Sequence, residues 1–136
     1  MSNNNTVYSF FDRIVCINLK ERNDRREIAE KRFQELGIPV EFYLADRDPE
    51  SGERGCYNSH MTVIKKAYHD NLNNVLIFED DVCPTKSFSE KIITQAINFM
   101  KSNASKLNNF SVYLSWRYSF NLASLAFNAF FPAFAA

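Results

Sequence analysis

Three carboxylates stand side by side at Glu79, Asp80 and Asp81, directly behind the apolar run Val75 to Phe78. Like charges this close repel, so the chain must set a cation, a proton or open water beside them. Hard divalent cations favour carboxylate oxygens, and Mg2+ or Mn2+ commonly binds one or two carboxylates together with substrate phosphates. An ion held that way neutralises charge developing on a leaving diphosphate. On spacing alone, a solvated acidic turn remains the plainer alternative.

Two further clusters carry chemical potential. Arg22, Arg25 and Arg26 follow an apolar segment at the point where a helix begins, and guanidinium groups and helix N-termini both suit phosphate. The alternative is an exposed helix face on which Glu21, Glu27 and Glu30 serve as partners. In GERGCYNSH, Cys56 and His60 stand at i, i+4, so one helix face can present both. A zinc site needs further ligands, and the sequence offers no second Cys/His pair. Nothing in the sequence orients His60 for a Cys–His nucleophilic dyad either. Cys56 is therefore assigned to packing, with Ser59 and His60 hydrogen-bonding near a ligand, and His69 to a helix surface.

The elements that must position these groups alternate. Asp12 to Leu19 reads as a strand whose continuous apolar run suits a parallel sheet covered on both faces. A helix is expected from about Asp24, with Asp24 and Glu27 at capping-box spacing, an apolar stripe of Ala29, Phe33 and Leu36, and Gly37 as its stop. Val40 to Ala45 is a second strand, followed by the polar loop DRDPESGERG. A second helix is expected from Cys56 to about Asp70 with Tyr57, Met61, Ile64 and Tyr68 facing the core. Val75 to Phe78 is a third strand, buried on both faces. Ser87 with Glu90 caps a third helix, whose inner residues are Ile92, Ala96 and Phe99, and Phe110 to Leu114 is a candidate fourth strand. This alternation gives an α/β fold, a mostly parallel sheet flanked by helices. Open sheets of that kind bind ligands beyond the carboxyl ends of their strands. NLKERNDRR and EDD both fall at such ends.

Composition sets the outer bounds. The 136 residues suit one domain, and sixteen basic against sixteen acidic residues leave no net charge. A general attraction to nucleic acid or anionic lipid is not indicated. Three cysteines without CxxC pairing, and no visible secretory signal, lead us to expect a cytoplasmic protein without a disulfide scaffold. After Arg117 the chain carries no charge and is rich in phenylalanine and alanine. This tail over 119–136 is interrupted by Asn, Ser and Pro, which suits a buried or aberrant terminal segment better than a membrane anchor.

Taken in order, the three clusters resemble glycosyltransferase family 25, the lipooligosaccharide galactosyltransferases and their procollagen galactosyltransferase relatives. The matching residues are Ile17, Asn18 and Leu19; Asp24, Arg25 and Arg26; Gly52, Glu53, Gly55, Cys56, Ser59 and His60; and Glu79, Asp80 and Asp81. The resemblance implies a GT-A-like (Rossmann-like) domain over 12–118. It implies transfer of a sugar, galactose above all, from a UDP-sugar to a glycan, lipooligosaccharide or hydroxylysine-type acceptor, with inversion and with Mn2+ (or Mg2+). Carried over, Asp81 and Asp80 become the metal ligands. Asn18, Leu19, Arg25, Arg26 and Asp80 face the nucleotide, and Glu53, Ser59 and His60 line the sugar side. The family domain usually continues further and supplies the general base, so a C-terminal truncation is expected. NNFSVYLSW matches the family's tryptophan-aspartate strand only loosely, without the aspartate. An inactive nucleotide-sugar-binding remnant is the main alternative. A receiver-like signalling domain is a lesser one, because its acidic pair normally follows the first strand.

Overall fold

A computed structural model of the chain describes residues 6–83 and 86–103. The candidate fourth strand, the tail and the side chain of Ser87 lie outside what it describes. The fold is two compact units, Met1–Lys86 and Ser87–Ala136.

The first unit is built on a three-stranded sheet in the order β2-β1-β3, with β1 Arg13–Leu19, β2 Glu41–Ala45 and β3 Val75–Glu79. Both pairings are parallel; Cys16 lies opposite Phe42 on one side and Phe78 on the other. Helices α1 (Asn23–Leu36) and α2 (Gly52–His69) make the crossovers. The chain steps from β1 to β2 in one direction and from β2 over β1 to β3 in the other. Right-handed crossovers in opposite directions require helices on opposite faces. The side-chain contacts agree. Phe33 of α1 packs on Phe78, ring centroids 5.1 Å apart, on the face that carries Cys16 and Asn18. His60 of α2 reaches Glu79, the register partner of Ile17, on the other face. The result is a doubly wound α/β sheet of Rossmann-like form, with its topological switch point between β1 and β3.

Local chemistry explains the element ends, with two departures from expectation. Helix α1 starts at Asn23, and Asp24 does not cap it. Arg22 binds Asp24 through Nε and Nη2 at 2.9 and 2.7 Å, so the carboxylate that would have capped is engaged by its neighbour. Gly37 ends the helix with φ 67°. Its N–H donates to Gln34 O at 3.1 Å while that of Ile38 donates to Phe33 O at 2.9 Å, the paired bonds of a Schellman end.

Helix α2 begins four residues earlier than expected, at Gly52. Ser51 Oγ accepts the Arg54 N–H, and Asp48 Oδ1 accepts the N–H groups of Glu50 and Ser51. The loop DPES is thus a capping device. The buried face of α2 is Ser59, His60, Val63 and Ala67, whereas Tyr57 and Tyr68 are 61% and 70% exposed. The expected stripe was displaced by one residue, about 100° of rotation.

Strand β3 has only Leu76 fully buried. The core of this unit gathers Ile14, Val15, Cys16, Ala29, Phe33, Ile38, Ala45, Val63, Ala67 and Leu76. Helix α3 (Lys86–Asn103), which enters the second unit at its second residue, has Ile93, Ala96 and Ile97 buried, with Ile92 and Phe99 half-buried at the edge of that face.

Candidate functional site

The carboxyl ends of β1 and β3 lie next to each other at the switch point, and the acids there do not face one way. Side chains alternate along a strand, so Glu79 turns toward α2 while Asp80, the next residue, turns toward α1. Each acid meets its own partners, and this resolves the crowding of three like charges.

Asp80 is tied at both oxygens. Asn18 Nδ2 donates to its Oδ2 at 2.7 Å, and Arg25 Nη2 lies 2.9 Å from its Oδ1. Asn18 is 1% exposed. Its second amide hydrogen goes to Arg22 O at 3.2 Å, and its Oδ1 accepts from Arg26 Nη1 at 3.5 Å. A buried amide with every group engaged is an anchor. It ties the end of β1, the first turn of α1 and the end of β3 together. Asp81 shares the same Arg25 nitrogen at 3.4 Å, but its side chain is 54% exposed against 10% for Asp80. Arg25 and Arg26 therefore turn to Asp80, Asp81 and Asn18, while Arg22 pairs with Asp24.

Two carboxylates converge on one guanidinium nitrogen. They offer hard oxygen donors, one of the pair open to solvent, which suits Mg2+ or Mn2+ bound by one or two carboxylates. The donor chemistry fits the expected metal. Arg25 and Arg26, at the positive end of α1, add the groups that suit a phosphate. Leu19, half-buried, closes β1 opposite Ala45; its carbonyl accepts the Arg22 N–H at 2.9 Å and turns the chain into α1.

On the other face Glu79 Oε1 accepts from Cys56 Sγ at 3.3 Å and lies 3.7 Å from His60 Nε2. This grouping is not visible in the sequence, where Cys56 and Glu79 stand far apart. The i, i+4 spacing of Cys56 and His60 was the available signal, and the strand acid supplies the third member. Cys16, fully buried under the site, is different: burial first, then the nearby carboxylates of Asp80, Asp81 and Glu79, push its thiol up to about 12.

The residues expected on the sugar side separate. Ser59 is buried, with Oγ donating to Gly55 O at 2.8 Å. It also lines an open cleft of about 310 Å3 with Tyr43, Asp46, Asp48 and Asn58, at the carboxyl end of β2. His60 belongs to the Glu79 grouping instead, and Glu53 stands exposed in the first turn of α2. Asp48 was missed from sequence. Arg54, through Nε and Nη2, and the Ser51 and Glu50 amides hold its carboxyl well below the usual range.

Comparison with known proteins follows the same lines. The chain is 32% identical over 117 residues to a "Glycosyltransferase 25 family member" of Drosophila melanogaster, covering 64% of this chain and 19% of that protein. It is 32% identical over 110 residues to "Procollagen galactosyltransferase 2" of Homo sapiens, covering 61% and 18%. To "Lipooligosaccharide biosynthesis protein lic2B" of Haemophilus influenzae it is 29% identical over 85 residues, 48% and 32%. The matches thus span between about a fifth and a third of these relatives' length. The model of glycosyltransferase family 25 (LPS biosynthesis protein) matches residues 45–132. With that match over more than half of its length, the chain belongs to glycosyltransferase family 25.

Proposed function

We propose that this chain is the donor-binding part of a glycosyltransferase that takes a UDP-sugar, with galactose as the sugar, together with Mn2+ or Mg2+. The acceptor is a saccharide or a hydroxylated side chain. The reading is carried by one observation, the convergence of Asn18, Arg25, Asp80 and Asp81 at the switch point between β1 and β3. Open α/β sheets bind nucleotides in that crevice. Family membership and the galactosyltransferase name of a relative support the reaction class and the sugar.

Each residue has a definable task. Asn18 fixes the rotamer of Asp80 by occupying one carboxylate oxygen. Arg25 holds Asp80 and Asp81 close together, and with Arg26 it faces the diphosphate with positive charge. Asp81, the more open acid, is the principal metal ligand, with Asp80 beside it. Asp81 and Asp80 would hold a Mn2+ or Mg2+ ion there, whose chemistry would be to offset negative charge on a departing diphosphate. The acceptor hydroxyl attacks the sugar's anomeric carbon from the side opposite the diphosphate, with inversion, and gives its proton to a general base. Ser59 and the cleft at the end of β2 supply polar groups for the sugar or acceptor.

The chain incubated with UDP-galactose, Mn2+ and a saccharide acceptor should release UDP. The release should stop on chelation and in Asp81→Ala. Absence of both UDP release and metal-dependent UDP binding, with manganese present, would reject the donor reading. Metal-dependent UDP binding without release would assign the chain a binding role only.

A further inference from the structure

We infer that Cys56, His60 and Glu79 form a second metal site, one for a thiolate-preferring divalent ion of the zinc class, on the opposite face of β3 from Asp80. The ligand atoms of the three residues lie within 4.8 Å of one another. A tetrahedral zinc with ordinary Zn–S, Zn–N and Zn–O bonds sets its ligand atoms about 3.3–3.6 Å apart. Cys56 Sγ is 3.3 Å from Glu79 Oε1, and that oxygen is 3.7 Å from His60 Nε2. Both contacts of the Glu79 oxygen thus stand close to coordination spacing, and the third pair closes within 4.8 Å.

The histidine is oriented for the task. His60 Nδ1 lies 2.9 Å from the Cys56 carbonyl oxygen. A carbonyl only accepts, so Nδ1 donates to it, while Nε2 lies on the Glu79 side, 3.7 Å from Oε1. A backbone carbonyl fixing one ring nitrogen while the other ligates is the usual outer support of a metal-bound histidine. The supports are rigid. Cys56 and His60 are one turn apart on α2, and Glu79 is the last residue of a strand paired in register with β1. His60 is 8% exposed, whereas Cys56 is exposed, so water can complete the coordination from the Cys56 side.

Donor chemistry separates this site from the first. Sulfur and imidazole select zinc-class ions, while the carboxylates of Asp80 and Asp81 suit magnesium and manganese. On binding, the Cys56 thiol proton, now directed at Glu79, leaves to solvent and the thiolate takes the metal in its place. The site does not depend on the donor reading.

Cobalt(II) is the probe, titrated into the intact chain under reducing conditions. The expected result is one ion per chain with a thiolate-to-cobalt charge-transfer band in the near ultraviolet. The band should vanish in Cys56→Ser, weaken in Glu79→Gln, persist in Asp81→Ala, and bleach when Zn2+ is added. Zn2+ should also slow alkylation of Cys56 but not of the exposed Cys83. Absence of the band in the folded protein, its survival in Cys56→Ser, or alkylation of Cys56 unaffected by Zn2+ would overturn the proposal. Loss of UDP binding in Asp81→Ala with the cobalt band intact would show the two sites to be separate. A cobalt band in a chain that binds no UDP would reject the donor reading alone.

Discussion

Asp80 and Asp81 are neighbours in sequence and share Arg25, yet their environments assign them different work. Asp80 holds a buried asparagine and one arginine; Asp81 is open to solvent. Replacing Asp80 by alanine strips Asn18 of its carboxylate partner, at a cost of about 1–3 kcal/mol for a buried donor. The surface pair of Arg25 with Asp81 is worth under about 1 kcal/mol. Urea unfolding should therefore show Asp80→Ala clearly destabilised and Asp81→Ala close to the parent. Equal midpoints for the two variants would contradict the anchoring role of Asp80. Asp48 gives a pH test. Its folded carboxyl sits below its ordinary value of 3.8 because Arg54, then the Ser51 and Glu50 amides, favour the ionised form. A lowered folded value adds stability that is present above the ordinary value and fades as pH falls through the folded one. Asp48→Asn should be less stable than the parent near pH 7, with the gap narrowing below about pH 4. A gap that widens in acid would contradict this.

At the scale of elements, α2 is the most informative. A methyl group at Gly55 would meet Asp48 Cβ at 2.9 Å and Asp48 N at 3.4 Å. The helix start and the DPES loop touch there with no room for a side chain. Gly55→Ala should lower stability by about 1–3 kcal/mol, as overpacking does, with the thermal midpoint as readout; an unchanged midpoint would show that the loop yields freely. The same helix shows where sequence patterns stop being informative. β1 was legible because Ile14, Val15 and Cys16 form a continuous apolar run, and the end of α1 was legible because Gly37 supplies a positive φ. The inner face of α2 was not. Its buried residues include Ser59 and His60, which an apolar template skips, while the larger Tyr57 and Tyr68 point outward. Likewise, Asp24 had the right spacing for a cap, but Arg22 captured its carboxylate. Competition between side chains for one partner is settled in three dimensions.

For the whole molecule, strand order matters most. The order β2-β1-β3 brings residues 18, 25 and 80 together across a long stretch of chain. The sequence placed two polar clusters at strand ends but could not say that those two strands are neighbours. Alternation along the end of β3 separates Glu79 from Asp80, putting the Cys56, His60 and Glu79 grouping on one face and the Asp80 and Asp81 oxygens on the other. Family membership rests on a match over residues 45–132, whereas the network begins at Asn18. No helix among the described residues is long and apolar enough to cross a membrane. The most direct measurement is calorimetric titration of UDP into the chain with and without Mn2+, for the parent and for Asp81→Ala. The switch-point site predicts saturable binding that requires Mn2+ and is lost in the variant. UDP binding that is absent with Mn2+ present, or equal in the two proteins, would contradict it.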